Sequence, residues 1–406
     1  MHSLVMAIGI LLCLGVVLDA FQTIILPRRP TGKLRITRLF KLLTWGLWSA
    51  CTRRIRNERT REQIYSIYGP LSLLLLLVLW AVMLILGFGL IYFALRTPFS
   101  DSMMSHYPGM KFEIWTDLYV SGTTLFTLGL GDVVPRMPLA RGIIILESGV
   151  GLGLVALVVG YLPVLYTAFS RREVSVALLD ARAGSPPTAA ELLSRHDFDG
   201  GDVALIELLA EWERWAAELL ESHVSYPILC YYRSQHDNQS WLSALVAVLD
   251  ACSLLIASTL GPASRGLPVR QAQLTFAIAR HALVDLGHVL LLDAKVKALA
   301  QSAPDRLTPA DFRRLCAALG NTDIQLCGDD NSAARLRQLR AMYEPNALAI
   351  ADYLGFSLPL WIAEPSEKDQ WRRVANLRSN PEAIPNANHI SQHSTAAALH
   401  KEGHGH

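Results

Sequence analysis

Charge is scarce in this sequence. Asp, Glu, Lys and Arg make up 18% of its 406 residues, against about a quarter in ordinary soluble domains. Apolar residues make up 51%. Intrinsic disorder needs low hydrophobicity and high net charge, so it is excluded. A purely water-soluble chain is disfavoured. Cysteine is sparse too: the six cysteines include no C-x-x-C pair, which argues against a zinc site or a disulfide framework and for free thiols in a reducing compartment. Strand patterns are scarce beyond residue 187, and length alone allows two or three domains. The net charge of +2 hides a split. Residues 1–173 carry 17 basic and 9 acidic side chains, and residues 174–406 carry 20 and 26. A basic apolar front half and a mildly acidic back half fit a membrane part followed by a cytosolic part.

Three runs are long enough to cross a hydrocarbon core, which takes roughly 20 helical residues. Met1–Leu26 holds one charge, Asp19; Gly69–Leu95 holds none; Gly142–Ser170 holds only Glu147. The first lacks a basic n-region and a clear A-x-A-like site, so it reads as a retained helix and not a signal peptide. Residues 27–68 carry 11 Lys and Arg against two Glu, and Arg171 and Arg172 follow the third run. An excess of basic residues marks the cytosolic side, which places 27–68 and the C-terminal half inside and 96–141 outside. Asp19 falls near the cytosolic end, where hydration accounts for it. Within 34–50, Leu34, Leu39, Leu42, Leu43, Trp45 and Trp48 mingle with Arg and Lys. Two readings stay open there: an amphipathic helix in the interface, or an ordinary linker helix.

The outside stretch is too short for a domain. A helix-compatible run, 114–125, is followed by Thr127-Leu128-Gly129-Leu130-Gly131-Asp132. Alternating glycines reach backbone angles other residues resist. Non-helical backbone at membrane depth persists only when buried in protein or lining a watery path. A row of carbonyls on such a path replaces a cation's hydration shell.

T-L-G-L-G-D resembles the potassium-channel filter T-V-G-Y-G-D, and the Gly-Leu-Gly form is similar to second pores of twin-pore animal channels. Leu118, Tyr119, Ser121, Thr124 and Leu125 match the family's pore helix in type. Pro135, Arg141 and Gly142 continue the match, so that it covers about 69–170. The resemblance implies that the carbonyls of Thr127, Leu128, Gly129 and Leu130, with Gly131 closing the motif, bind dehydrated K⁺. The Thr127 hydroxyl adds the innermost ring, and the pore helix aims its negative C-terminal end at the cavity. Asp132 sits at the outer mouth, with Trp115, Tyr119, Thr124 and Glu147 supporting the filter. Leu130 departs from the family's Tyr or Phe, so Tyr119 and Trp115 lose a hydroxyl partner. One chain supplies one filter strand, so four identical subunits close the ring.

In the third run, Gly149, Gly151 and Gly153 precede Gly160 and Pro163. Gly151 falls where the family commonly has its gating hinge, and Pro163 adds a kink. Close helix packing is the other reading of these glycines. Glu147, an intramembrane carboxylate, is a functional candidate by default, placed to buttress the filter from behind. No helix carries Arg at every third position, so direct voltage sensing is not expected.

Residues 171–187 connect to the second half. Glu173–Arg182 can continue the inner helix, and Ser185-Pro-Pro187 is the first break. Beyond it, helices are expected over 188–195, 202–222, 239–260, 269–300, 309–319, 331–354 and 366–377. The nearly uncharged 242–260 reads as a buried bundle helix in preference to a fourth span. Asp197-Phe-Asp199-Gly-Gly-Asp202 fails the calcium-loop pattern, because position 6 is Asp202 and position 12 is Leu208; Asp202 reads as a helix N-cap. Gly328–Ser332 reads as a turn and cap. His223, Arg233, His236, His281, Asp285 and His288 form a candidate regulatory ligand site. A metal or a buried polar network suits the spacing of the last three. The tail 378–406 reads as a disordered, histidine-containing segment.

The resulting expectation is an all-α membrane protein. Its parts are an N-terminal span (1–26), a basic linker (27–68), a pore domain (69–170), a connector (171–187), a helical cytosolic domain (188–377) and the tail. Its function would be passive K⁺ conduction across the plasma membrane by a homotetramer in the lipid bilayer. No enzyme activity, cofactor, resident metal or nucleic-acid partner is expected. A small ligand or ion at the cytosolic domain is allowed for. A membrane-tethered helical enzyme and a non-conducting scaffold with a degenerate pore are the alternatives.

Overall fold

The three apolar runs are helical, and the second and third helices extend past theirs. The computed structural model describes residues 2–26, 35–96, 99–101, 113–198, 200–234, 239–258, 268–302, 304–320 and 330–363. Three helices are long and apolar enough to cross a membrane. They are α1 (His2–Ala20), continued by a π-turn Phe21–Ile25, α3 (Glu58–Ala94) and α5 (Pro138–Ala183). Between them lie α2 (Ile36–Thr52), β1 (Phe99–Asp101), α4 (Glu113–Leu125) and β2 (Val133–Pro135). Then follow α6 (Ala189–Arg195), α7 (Gly201–Ser225), α8 (Trp241–Ala257), α9 (Val269–Val289), α10 (Asp293–Ser302), α11 (Pro309–Leu319), α12 (Asp330–Ala341) and α13 (Glu344–Leu354). A 3-10 turn, Pro227–Tyr231, follows α7.

The chain divides into two compact units. The first holds residues 1–173, 218–237 and 285–291; the second holds 174–217, 238–284 and 292–406. In the first, Cys13, Val16 and Ala20 of α1 pack with Leu76, Trp80, Leu84, Phe88, Ile91 and Tyr92 of α3 and with Leu125 of α4. Lipid is as apolar as leucine, so such helices are held by close approach and hydrogen bonds. Both are present. A Cβ on Gly87 would stand 2.5 Å from the Cys13 sulfur, and one on Gly9 2.6 Å from the Gly87 carbonyl oxygen. Asp19 is 5% exposed. It accepts from the Thr37 N–H (3.1 Å), the Thr37 hydroxyl (2.5 Å) and Trp80 Nε1 (3.0 Å), with Arg35 at 3.7 Å. Hydration of Asp19 is thus corrected. The carboxylate is buried where α1, α2 and α3 meet, because the linker folds back to offer it donors.

In the second unit α8 is buried on all sides except at Ile256, as an apolar helix inside a bundle should be. Its single charge, Asp250, accepts from Arg306 (2.8 Å) and from the Tyr343 hydroxyl (2.5 Å). Arg306 also bonds Glu344 (3.0 Å) and the Pro359 carbonyl (2.9 Å), and Arg340 bonds Glu344 (3.1 Å) and Asp305. Burial works against the Arg306 charge, but Asp250 outweighs it and holds the guanidinium above its ordinary pKa. A buried charge survives only with partners of this kind.

Three expectations change here. The helix over 269–300 breaks between α9 and α10, where Leu291 takes φ 62°. Asp202 lies one residue inside α7, in its first turn, where the helix dipole favours a carboxylate; it is not the cap. Cys13, Cys51, Cys230 and Cys252 are free thiols, but Cys316 is disulfide-bonded. Scattered spacing excludes a C-x-x-C site, not a bridge closed by folding. The expected helix 366–377, the tail 378–406, His236, Asp199, Gly328 and Asp329 lie outside the described residues, while Asp330, Asn331 and Ser332 open α12.

Candidate functional site

The pore-helix segment α4 stops at Leu125 because the next residues leave helical angles. Thr127 takes φ 56°, Gly129 54° and Gly131 78°. The helix end is closed by Thr127 N–H on the Thr124 carbonyl (2.9 Å) and Leu128 N–H on the Thr123 carbonyl (2.7 Å). Residues 127–131 are all exposed in the single chain, Leu128 at 61% and Leu130 at 63%. Positive φ is natural for glycine and costs other residues about 1 kcal/mol or more, so the two glycines are required where they stand.

Two sets of contacts hold this segment. On the outer side, the Tyr119 hydroxyl donates to Asp132 Oδ2 at 2.7 Å. Tyr119 lacks a partner at Leu130, and Asp132 supplies one. Trp115 is exposed. Beyond Asp132 the chain enters a two-stranded antiparallel ladder. It pairs Phe99 with Pro135, Ser100 with Val134 and Asp101 with Val133, and Arg136 bonds the Ser100 hydroxyl at 2.9 Å.

On the inner side stands Glu147 of α5, with no exposed surface. Its carboxylate accepts from the Tyr92 hydroxyl of α3 (2.6 Å) and the Ser121 hydroxyl of α4 (2.5 Å). One side chain therefore ties three elements together behind residues 127–131. Sequence reasoning found Glu147 but not Tyr92, which sits in an uncharged run with nothing local to mark it. Gly151 lies against the Leu125 carbonyl, where a Cβ would collide. α5 is continuous through both Gly151 and Pro163.

Toward the other end of α5, Arg172 is 4% exposed. Its guanidinium bonds His223 Nε2 (3.1 Å), the Leu229 carbonyl (3.0 Å), the Tyr232 carbonyl (2.9 Å) and Glu173 (2.9 Å). Burial first, then Arg172, holds the His223 imidazole well below its ordinary pKa, so it is neutral and its Nε2 accepts. The adjoining turn reaches α2 and α3. Tyr231 meets Trp45 edge-on (4.9 Å) and Tyr68 at a tilt (5.3 Å), and Arg233 pairs with Glu62 (3.1 Å). The sequence singled out His223 and Arg233 but not Arg172, whose role depends on partners more than fifty residues away. Of the other regulatory candidates, Asp285 is buried and His281 and His288 are exposed. The exposure corrects the expectation that these two histidines lie in a buried network. Among the described residues no group of His, Cys, Asp and Glu comes together as a metal site.

Residues 79–167 match a protein family described as ion channel. The chain carries an ion channel domain. The match runs from α3 to α5 and contains Tyr92, residues 113–135 and Glu147, but not Arg172 or His223. The chain is also 30% identical over 244 residues to the uncharacterized membrane protein YdjJ of Bacillus subtilis (strain 168), across 60% of this chain and 66% of that protein. The alignment thus spans slightly less than two thirds of that relative's length. No solved structure matches the chain. The protein is a mostly helical membrane protein in which an extra N-terminal span packs on the outer helix of an ion channel domain.

Proposed function

We propose that the protein is a K⁺-selective channel, that four copies surround one filter, and that residues 127–131 of each copy supply the filter wall. The observation that carries this reading is the alternation of positive φ at Thr127, Gly129 and Gly131. Alternating handedness turns successive carbonyls toward one side, and a column of such carbonyls replaces the hydration shell of a cation. Glu147, Tyr119 and Asp132 support the wall, with Thr124 and Trp115 on the pore helix beside it. Leu130 fills the place of an aromatic residue without changing the carbonyl. The chain acts as a passive conductor of the plasma membrane, without a cofactor and without catalysis. Residues 27–68 and 188–377 face the cytosol. Gly151 and Pro163 of α5 give way on opening, and the Arg172–His223 contact passes movement of the cytosolic segments to that helix.

The test is ion flux from vesicles containing the purified full-length protein. K⁺ efflux exceeding Na⁺ efflux is expected. Gly131→Ala, which forces a Cβ onto a residue at φ 78°, abolishes the flux, and Leu130→Tyr keeps it. Unchanged K⁺-selective flux in Gly131→Ala removes the filter assignment.

A further inference from the structure

α2 is amphipathic with its faces reversed. Leu39, Leu42, Leu43 and Leu47 are 60, 49, 59 and 71% exposed, and their spacing of three and four residues keeps them on one face. The polar side chains turn inward. Thr37 donates to Asp19 (2.5 Å), and Trp48 Nε1 donates to the Ile64 carbonyl (3.2 Å). The Thr44 hydroxyl donates to the Phe40 carbonyl (2.8 Å) and lies 3.0 Å from the Tyr68 hydroxyl. A helix on the water-facing surface of a protein has the opposite arrangement.

The contacts also fix how α2 stands. Thr37 and Trp80 bond the same carboxylate, Asp19. Further on, Trp45 meets Tyr68 (4.7 Å) and Trp48 meets Ile64. Later residues of α2 thus meet earlier residues of α3, so the two helices run antiparallel, side by side. Trp80 lies about 16 Å along α3 from Gly69, where the uncharged run begins. The first turns of α2 are therefore alongside the apolar part of α3, and Ile36 and Phe40 pack on the cluster that holds Leu76 and Trp80. At the same levels α1 exposes Leu18 and Phe21, and α3 exposes Leu74 and Leu75. A helix start among hydrocarbon needs partners for its N–H groups. Asp19 accepts from the Thr37 N–H and faces Arg35 at 3.7 Å. Past the other end of α2, Arg53, Arg54, Arg56 and Arg59 are exposed, as suits a layer of anionic headgroups. α2 itself carries no acidic residue.

We propose that α2 is a half-span that re-enters the cytosolic leaflet, with lipid acyl chains covering its leucine face. Asp19 holds its start at depth, and the arginines mark the headgroup level. The segment enters and leaves on one side, so the orientation of the three spans is unaltered. Which leaflet it enters rests on the orientation proposed above; its depth does not, and neither depends on conduction.

Spin labels on the full-length protein, in vesicles of phosphatidylglycerol and phosphatidylcholine, test this. The background is Cys51→Ser, since Cys51 is exposed whereas Cys13, Cys230 and Cys252 are buried; the background protein is the blank. Labels are placed through Leu39→Cys, Leu43→Cys, Leu47→Cys and Arg56→Cys, one at a time. Relaxation by oxygen, which concentrates in hydrocarbon, against relaxation by a nickel chelate, which stays in water, gives each depth. From Leu39 to Leu47 the helix rises about 12 Å. Position 39 is expected to lie deeper than 47 by at least half of that, with 43 between them and 56 in water. Melting by circular dichroism checks each fold, and Leu42→Cys replaces any variant that fails. Equal depths at 39 and 47 overturn the proposal in favour of a helix lying flat. Nickel access at all three overturns it in favour of a water-exposed linker. Shielding from both reagents overturns it in favour of a face covered by a second copy. Asp19→Asn should move the label at position 39 toward the surface; an unchanged depth removes Asp19 as the anchor.

Discussion

Glu147 is a fully buried carboxylate with two donors. Tyr92 and Ser121 each give it one short hydrogen bond. Glu147→Gln leaves one carboxamide oxygen where two carboxylate oxygens accepted, and it turns an N–H toward a hydroxyl that was donating. We expect a loss of about 1–3 kcal/mol in stability, the cost of a buried group left without its partner. Tyr92→Phe should cost about 1 kcal/mol, since it removes one donor and leaves Ser121 in place. Thermal unfolding of the detergent-solubilised variants, followed by circular dichroism, measures both; a Glu147→Gln protein as stable as the parent would refute the bracing role. At this scale the sequence was legible where a residue contradicts its neighbours. A lone carboxylate in an apolar run stands out, and so do two glycines spaced by one residue. It was illegible where a residue agrees with them. Tyr92 reads as one more apolar side chain in α3. Asp19 read as hydrated because its donors, Thr37 and Trp80, reach it only after the chain has folded back.

The elements repeat this pattern. The existence of α1, α3 and α5 follows from uncharged runs, but their ends do not. α3 begins at Glu58, well before Gly69, because Asn57 caps it through the Arg59 and Thr60 N–H groups at 3.1 and 3.4 Å. Its polar first turns then pack Tyr65 and Tyr68 on Trp45. The break after α9 falls in Leu290–Leu292, where no glycine or proline announces it. α5 passes through Pro163 and continues to Ala183, so Arg172 meets His223 from within an unbroken helix. The sign of the pH effect follows. The folded form keeps His223 neutral, whereas the unfolded chain binds a proton near pH 6.5. Stability is therefore complete above about pH 6.5 and falls as the pH drops below it, because only the unfolded state gains the proton. His223→Gln keeps an acceptor for Arg172 without titrating, so its melting temperature should fall less between pH 7.5 and 5 than that of the parent. Parallel pH profiles for the two proteins would show that His223 does not carry this dependence.

For the molecule as a whole, the exposed surface points outward from the single chain. Ile145, Leu152 and Val159 of α5 are 74, 66 and 66% exposed, and residues 127–131 are exposed in the single chain. Light scattering of the purified protein, corrected for detergent, should give the mass of four copies; a strictly single-copy mass would end any reading with a pore on a shared axis. The helical class was legible because strand patterns are scarce. The division into two units was not, since its boundaries fall inside α5, α7 and α9, and a helix carries no mark of the neighbours it will meet. The glycine contact between α1 and α3 has a consequence for biosynthesis. Gly9, Cys13 and Gly87 need no residue beyond Ala94 to meet, and neither do Asp19, Thr37 and Trp80. Chains are made from the N-terminus and fold in that order. In that order the α1–α3 contact can form before residues 127–131 leave the ribosome, and Tyr92 is in place before Glu147 emerges.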